Sequence, residues 1–364
     1  MTIEQIVEDL PTVKKRWEAW WECELYDRAI ICVTAPLAIP RDGIPPQKEL
    51  NVDPKIQWTD ANYIIRRTLE AIRTTYYSGE AIPWCWNPIS AGHALYFGCE
   101  PRFAPDTMWV NPAMVGENGY PVLDGWRDNP WWRLVCEQIE AFALASQGRF
   151  FVLPFWGNHA GDILAVVRGV EKFYMDFSLN PEWVRSAIKT MSDILIEVHE
   201  ELWQRAYSDI TGVEGSLNYN GCWSSVRTMS FDCDISCNIS PRAFREIILP
   251  PLVESMRMVD YRIYHLDGPG ALHHLDTLLG LPELHAIQWV PGAGNEEIMQ
   301  WIPLLQGIQN SGKGVQVHCR PEEVEPLMKE VRPEGLCIVT GCRTEKEARE
   351  LLKLVTRLSR RARK

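Results

Sequence analysis

From residue 149 onward the chain repeats one pattern: a short, continuously apolar run, a polar tip, and then a stretch with helical periodicity. The runs fall at residues 149–155, 213–219, 262–266, 285–290, 314–318 and 336–340, and an earlier one at 29–34 (AIICVT) is stopped by Pro36. Strands that are apolar on both faces and alternate with helices are those of a parallel sheet covered on both sides. With about eight such strands, the expected fold class is α/β: a closed (β/α)8 TIM barrel with an elaborated N-terminal helical segment, rather than an open doubly wound sheet.

The whole of residues 1–364 reads as a single domain, with an N-terminal helix within 1–28 and the barrel over 29–355. In that first helix, expected over residues 3–25, Ile6, Leu10, Val13, Trp17, Trp20 and Trp21 recur at intervals of three or four among charges. Residues 60–76 and 130–146 are helical by pattern, and 107–111 (TMWVN) reads as a short strand. No internal repeat interrupts this order, and no GxGxxG or phosphate-loop pattern points to a nucleotide. The sequence NSGKG at 310–314 lies between a helix and a strand, the reverse of the order a phosphate loop requires.

A formal net charge of −11 argues against nucleic acid or an anionic membrane as partner, leaving only a basic cluster at residues 357–364. No apolar run reaches the roughly 20 residues that span a bilayer, and the N-terminus lacks the apolar core of a secretory signal, so the expected location is cytoplasmic. The 11 cysteines follow no regular framework and are expected to be reduced. The 16 tryptophans call for a core, an apolar ligand cavity or a homodimer interface.

In a barrel, the residues at the C-terminal ends of the strands surround the reaction centre. The tips expected there are Asn158 and His159, Asn218 and Tyr219, Asp232 and Asp234, His265 and Asp267, Gln288 and Trp289, His318 and Cys319, and Cys342. His265 and Asp267 stand two apart at the end of an apolar run, so strand alternation points them to the same side. His, Asp and Cys are zinc ligand types, and a catalytic zinc takes three protein ligands with one position open. A buried structural His–Asp pair is the plainer reading of the same residues. Cys233 and Cys237 look like half a metal site with no second pair following, and Cys319 is a reserve ligand. His273 and His274 are expected to pack or face solvent.

The strand end His265-Leu266-Asp267-Gly268, followed some 75 residues later by Cys342 at the end of the last strand, resembles the zinc signature of the uroporphyrinogen decarboxylase-like superfamily. The segments DISCNISPRAFREIILPPL at 234–252 and GDILAVVRGVEKFYMDFSLNPEWV at 161–184 are similar to further motifs of that superfamily, in the same order. Its methyltransferase branch includes methylcobalamin:coenzyme M and chloromethane methyltransferases, and its fold is the same barrel. The resemblance covers roughly residues 150–355. It implies a metal site of His265, Asp267 and Cys342, with Asp267 standing where thiol-methylating members have Cys. An oxygen ligand there makes the site harder and less suited to activating a thiol.

What the resemblance implies, with that departure, is a corrinoid-dependent methyltransferase moving a methyl group between a small O- or N-methylated molecule and cobalt. The implied cofactors are zinc and a cobalamin carried by a partner, a corrinoid protein, because no Asp-x-His-x-x-Gly cobalamin motif occurs in this chain. Asp234, His265 and Asp267 are the expected catalytic residues, and His159, Asn218, Tyr219, Gln288 and Trp289 the expected substrate contacts. Decarboxylation of the uroporphyrinogen type is a second reading. It requires a basic cleft, whereas the tips offer only Arg343 nearby, and the Met-Arg-Gln-Ala-Gly-Arg signature is absent. A barrel that binds a small molecule or a corrinoid protein without turnover is the third.

Overall fold

The computed structural model describes residues 1–46, 52–113, 116, 119–155, 157, 159–207 and 209–362, with the side chains of 90, 91, 361 and 362 excepted. The expected tip Asn158 lies outside the described residues. The strands are β1 (Ile30–Pro36), β2 (Thr75–Gly79), β3 (Trp84–Trp86), β4 (Glu100–Phe103), β5 (Met108–Asn111), β6 (Phe151–Leu153) and β7 (Ser216–Leu217). They continue with β8 (Trp223–Ser224), β9 (Thr228–Phe231), β10 (Tyr261–Asp267), β11 (Ala286–Val290), β12 (Gly314–His318) and β13 (Leu336–Gly341).

A seven-stranded sheet runs in the order β2-β1-β13-β12-β11-β10-β9, parallel throughout except for the antiparallel edge strand β2. The apolar runs are sealed: β11 shows no exposed residue and β12 only its last, as strands covered by helices on one side and by packed interior residues on the other should. β3 and β6 form a separate parallel pair. Among the described residues the backbone ladder does not close into an eight-stranded ring. Two close approaches flank the detached pair: Glu80 N donates to Ile31 O at 3.0 Å just before β3, and Gly157 follows β6. A Cβ on Gly157 would lie 2.4 Å from Ser230 O in β9, so only glycine lets the two backbones come that near.

Three local expectations change. The run at 213–219 is not a sheet strand; β7 and β8 fold it into an antiparallel hairpin. Beside β10, on the side away from β11, the parallel neighbour is β9, whose Thr-Met-Ser-Phe carries too little apolar character to read as a strand alone. The helix expected over 60–76 stops at Thr74, and Thr75–Gly79 pairs with β1. The first helix is two, Ile3–Ile6 and Leu10–Trp21, divided at Asp9, whose φ of 52° no α-helix tolerates.

Leu10–Trp21 closes the N-terminal end of the sheet, opposite the site. Trp17, Trp20 and Trp21 are buried, Trp20 Nε1 donates to Gly335 O at 2.9 Å and Trp21 Nε1 to Trp223 O at 2.9 Å. The three buried rings, two of them with paired indole donors, make these residues part of the core of this chain. Among the described residues no helix is long and apolar enough to cross a membrane.

Candidate active site

Parallel register sets the site. His265 on β10 is level with Gln288 on β11, Gln288 with Gln316 on β12, and Gln316 with Cys337 on β13. Strand alternation turns all four to one face, and there they form a polar layer. His265 Nδ1 lies 2.5 Å from Gln288 Oε1, and Gln288 Nε2 donates to Gln316 Oε1 at 2.9 Å. Gln316 Nε2 in turn donates to Asn220 O at 3.0 Å, and Ser230 Oγ donates to Asn220 Oδ1. Because the Gln288 amide nitrogen is committed to Gln316, its oxygen faces His265, so in the neutral ring Nδ1 is the protonated nitrogen and Nε2 the one with the lone pair. Gln288 Nε2 also approaches His318 Nε2 at 3.3 Å. Burial, with His265 beside it, holds the His318 imidazole below its ordinary value, which keeps it a neutral acceptor.

At the rim, Asp234, His265 and Asp267 converge: their oxygen and nitrogen ligand atoms all lie within 4.8 Å of one another. Asp267 ends β10, and Asp234 enters from the turn after β9. Both carboxylates open to solvent while His265 is half-buried. Loss of surrounding water raises the Asp234 carboxyl, His265 pulls it down and Asp267 pushes it up. An imidazole with a free lone pair, oriented from behind by a glutamine and flanked by two carboxylates, fits a divalent cation with three N/O ligands and open positions. It equally serves as an acid/base group.

A second group, His159, Asp162 and Cys233, also lies within 4.8 Å, but its chemistry does not fit a metal. His159 Nδ1 accepts the Gly161 amide at 2.9 Å as the cap of helix Ala160–Arg168, so Nε2 bears the proton of the neutral ring. Neither nitrogen offers a lone pair. Burial holds this ring down at about 4. His159 N donates to Asp232 Oδ1 at 3.0 Å, tying this group to the buried Asp232.

Asp162 was not evident from sequence, since it sits in the first turn of a helix where Asp is commonplace. Its Oδ1 accepts Ile235 N at 2.8 Å, and its Oδ2 is sealed from solvent without a partner. Burial first, then Asp234, raises its carboxyl from 3.8 to about 7. Because the folded value lies above the unfolded one, the group costs nothing below about pH 4, and the cost grows until pH passes its folded value. Asp162→Asn keeps the acceptor for Ile235. It is expected to raise stability over wild type at pH 8, by a margin growing up to about 1.4 kcal/mol per pH unit above pH 4, and to leave it unchanged at pH 4. Thermal melts at the two pH values check this; an equal shift at both would remove the ionisation argument.

The other expected residues fall as follows. Tyr219 stands near Asp232 and Asp234, and burial with those two carboxyls raises its phenol. Asn218 is committed to the β7–β8 turn, its Nδ2 donating to Thr228 Oγ1 at 3.0 Å and its Oδ1 accepting Cys222 N at 3.1 Å. Gln288 is the partner of His265. Trp289 points the other way, wholly buried against Trp301 with ring centroids 4.8 Å apart. Cys342 joins neither group; it is buried where β13 meets β1, its N donating to Thr34 O at 2.8 Å. Cys319 also lies outside both groups. His274 is buried, with Nε2 on Ser236 O at 2.9 Å, which is the packing role expected of it. Asn220 and Gln316 were missed because each is a lone polar residue with no motif around it.

No family model matches the sequence, and no curated protein is similar to it. Among solved structures, a methyltransferase from Methanosarcina mazei superposes with a TM-score of 0.60 at 12% identity, over 95% of this chain and 98% of that one. This chain shares its fold with that protein. The match spans both chains almost end to end.

Proposed function

We propose that this chain is a methyltransferase of the uroporphyrinogen decarboxylase-like type, built on an eight-stranded barrel whose ladder is loosened at β3 and β6. It moves a methyl group between a small O- or N-methylated molecule and a corrinoid carried by a separate protein in the cytoplasm. The observation that carries the reading is the convergence of Asp234, His265 and Asp267 at the strand ends of a fold shared with a methyltransferase.

Within this reading, Gln288 holds the His265 ring by its Nδ1 proton, so that Nε2 is aimed without choosing among tautomers. Asp234 and Asp267 flank the imidazole and stabilise positive charge on or beside it. A zinc ion held by Asp234, His265 and Asp267 would supply a Lewis acid that polarises the departing oxygen or nitrogen. Without a metal, His265 and Asp234 retain the proton-transfer role, Asp234 with a carboxyl that burial raises above its ordinary value. Cys342 remains a proposed further ligand only if the rim rearranges, since the structure holds it apart.

The test is metal content and turnover together. Wild type and Asp267→Ala are purified without chelator and analysed for zinc. Both are then mixed with cob(I)alamin and a panel of methoxylated and N-methylated compounds, and methylcobalamin is followed by absorbance. About one zinc per chain in wild type, lost in the variant, together with methylcobalamin from at least one donor, is the expected result. Absence of methylcobalamin with every donor overturns the proposal.

A further inference from the structure

The two histidines that share Gln288 differ in what they present. The polarity of the amide layer between them is anchored by a backbone carbonyl, which only accepts: Gln316 Nε2 donates to Asn220 O at 3.0 Å. Gln316 therefore offers its Oε1 to Gln288 Nε2 at 2.9 Å, and the same oxygen takes Asn220 Nδ2 at 3.3 Å. With its own oxygen turned to His265, Gln288 has one N–H left over, and His318 Nε2 lies 3.3 Å from that nitrogen. A ring nitrogen that receives an N–H holds a lone pair, so in the neutral ring His318 carries its proton on Nδ1. His265 thus keeps a lone pair on its free nitrogen, while His318 keeps a hydrogen. One carbonyl, read through two amides, fixes both tautomers.

His318 ends β12 and is the one exposed residue of that strand. Its Nδ1 has no hydrogen-bond partner among the described residues. Two on from Gln316, it stands on the same inward face one layer nearer the mouth, as Asp267 does above His265. In that layer Val339 is level with His318 and Val290 with Asp267, and both valines are half-buried. β10 and β12 are two strands apart, about 10 Å, and Val290 on the strand between them lines a gap of small-molecule width. A lone N–H among apolar side chains is a setting for one neutral acceptor atom on an otherwise apolar ligand.

We infer that His318 donates its Nδ1–H to the oxygen of an O-methylated molecule at this rim, which selects a methoxy compound over an N-methylated ammonium. The binding stands on the hydrogen-bond pattern, and the reaction of the bound molecule rests on the methyl-transfer reading. An ether oxygen has two lone pairs, one for His318 and one for the side of His265, whereas an ammonium nitrogen has none. When the reduced corrinoid supplies the electron pair for the new bond to the methyl carbon, the C–O pair stays on oxygen. The N–H then faces developing negative charge and holds it more strongly than it held the ether. The ring keeps its proton, and the released alkoxide or phenoxide takes one from water.

The probe pair is 2-methoxyethanol and butan-1-ol, which differ by an ether oxygen against a methylene. Protein labelled with nitrogen-15 at histidine is titrated with each. The ring signals of His318, identified by their loss in His318→Phe, report tautomer and binding together. The expected result is a neutral His318 protonated at Nδ1 and at least about five-fold tighter binding of the ether. His318→Phe, in which the His265 signals follow the titration, is expected to abolish that preference while the circular-dichroism spectrum stays that of wild type. His318→Ala serves the same purpose if the larger ring is not accommodated. Protonation of His318 at Nε2, equal binding of the two probes, binding of neither, or a preference that survives in a folded variant overturns the inference. Turnover separates the two proposals. Ether binding through His318 without methylcobalamin from any donor leaves this inference and removes methyl transfer, whereas methylcobalamin from N-methylated compounds alone removes this inference and leaves methyl transfer.

Discussion

His265→Ala is expected to lower methyl transfer by about 10²- to 10⁴-fold, the range for losing a positioned acid/base or ligand group, while the protein stays folded. The imidazole is half-buried at the end of β10 and is held by Gln288, so its removal leaves no large cavity. What disappears is the nitrogen lone pair between Asp234 and Asp267. The assay is methylcobalamin formation from the best donor, with a circular-dichroism spectrum beside it. Gln288→Ala offers a graded comparison, since that variant keeps the imidazole and loses only what orients it. A smaller fall is expected there, about 10-fold. Wild-type rates in folded His265→Ala would remove this residue, and with it the rim group, from the chemistry.

Glu80→Ala is expected to cost about 3–5 kcal/mol of stability, the range for breaking a buried ion pair from one side. Glu80 is fully buried and takes both arms of the Arg28 guanidinium at 2.7 Å. It also accepts Arg16 Nη1 at 3.1 Å and the Ile31 amide at 3.0 Å. The alanine therefore leaves Arg28, itself 4% exposed, with an uncompensated charge inside the protein and an orphaned donor in β1. Arg16 keeps its pairing with Asp27, which limits the loss on that side. Urea denaturation of wild type and variant measures the change, and a loss under about 1 kcal/mol would mean the pair is far better hydrated than its burial implies. The site at the opposite end of the strands is expected to keep its ligand contacts in whatever fraction of the variant is folded.

How far the site could be read in advance depended on the kind of signal each residue leaves. His265 and Asp267 were legible because a strand imposes a period of two, and an apolar run ending in His-x-Asp can present both side chains on one face only. Asp234 was legible as a polar tip. Asp162 was not, because an aspartate in the first turn of a helix satisfies local capping rules wherever the helix packs. Asn220 and Gln316 were silent for a similar reason: a single buried amide is defined by the partners that satisfy it, and those come from β12, the β7–β8 turn and β9. Trp289, next to Gln288 in sequence, lies on the reverse face of β11 by the same alternation that brings Gln288 to His265. That inference was available without a structure.

The alternation of apolar runs and helical periods determined the α/β class, the parallel sheet and the end of it where polar tips gather, because hydrophobic period is a local property written residue by residue. It did not determine which run entered the sheet. Thr228–Phe231 displaced residues 213–219 because pairing with β10 depends on what lies beside it in space. Nor did it determine which polar ends meet: Cys342 ends a strand, as His265 and Asp267 nearly do, yet among the described residues it is Asp234 that stands in their group. Such a meeting depends on distances between strand ends, and those are set by how the sheet twists, which no single segment encodes.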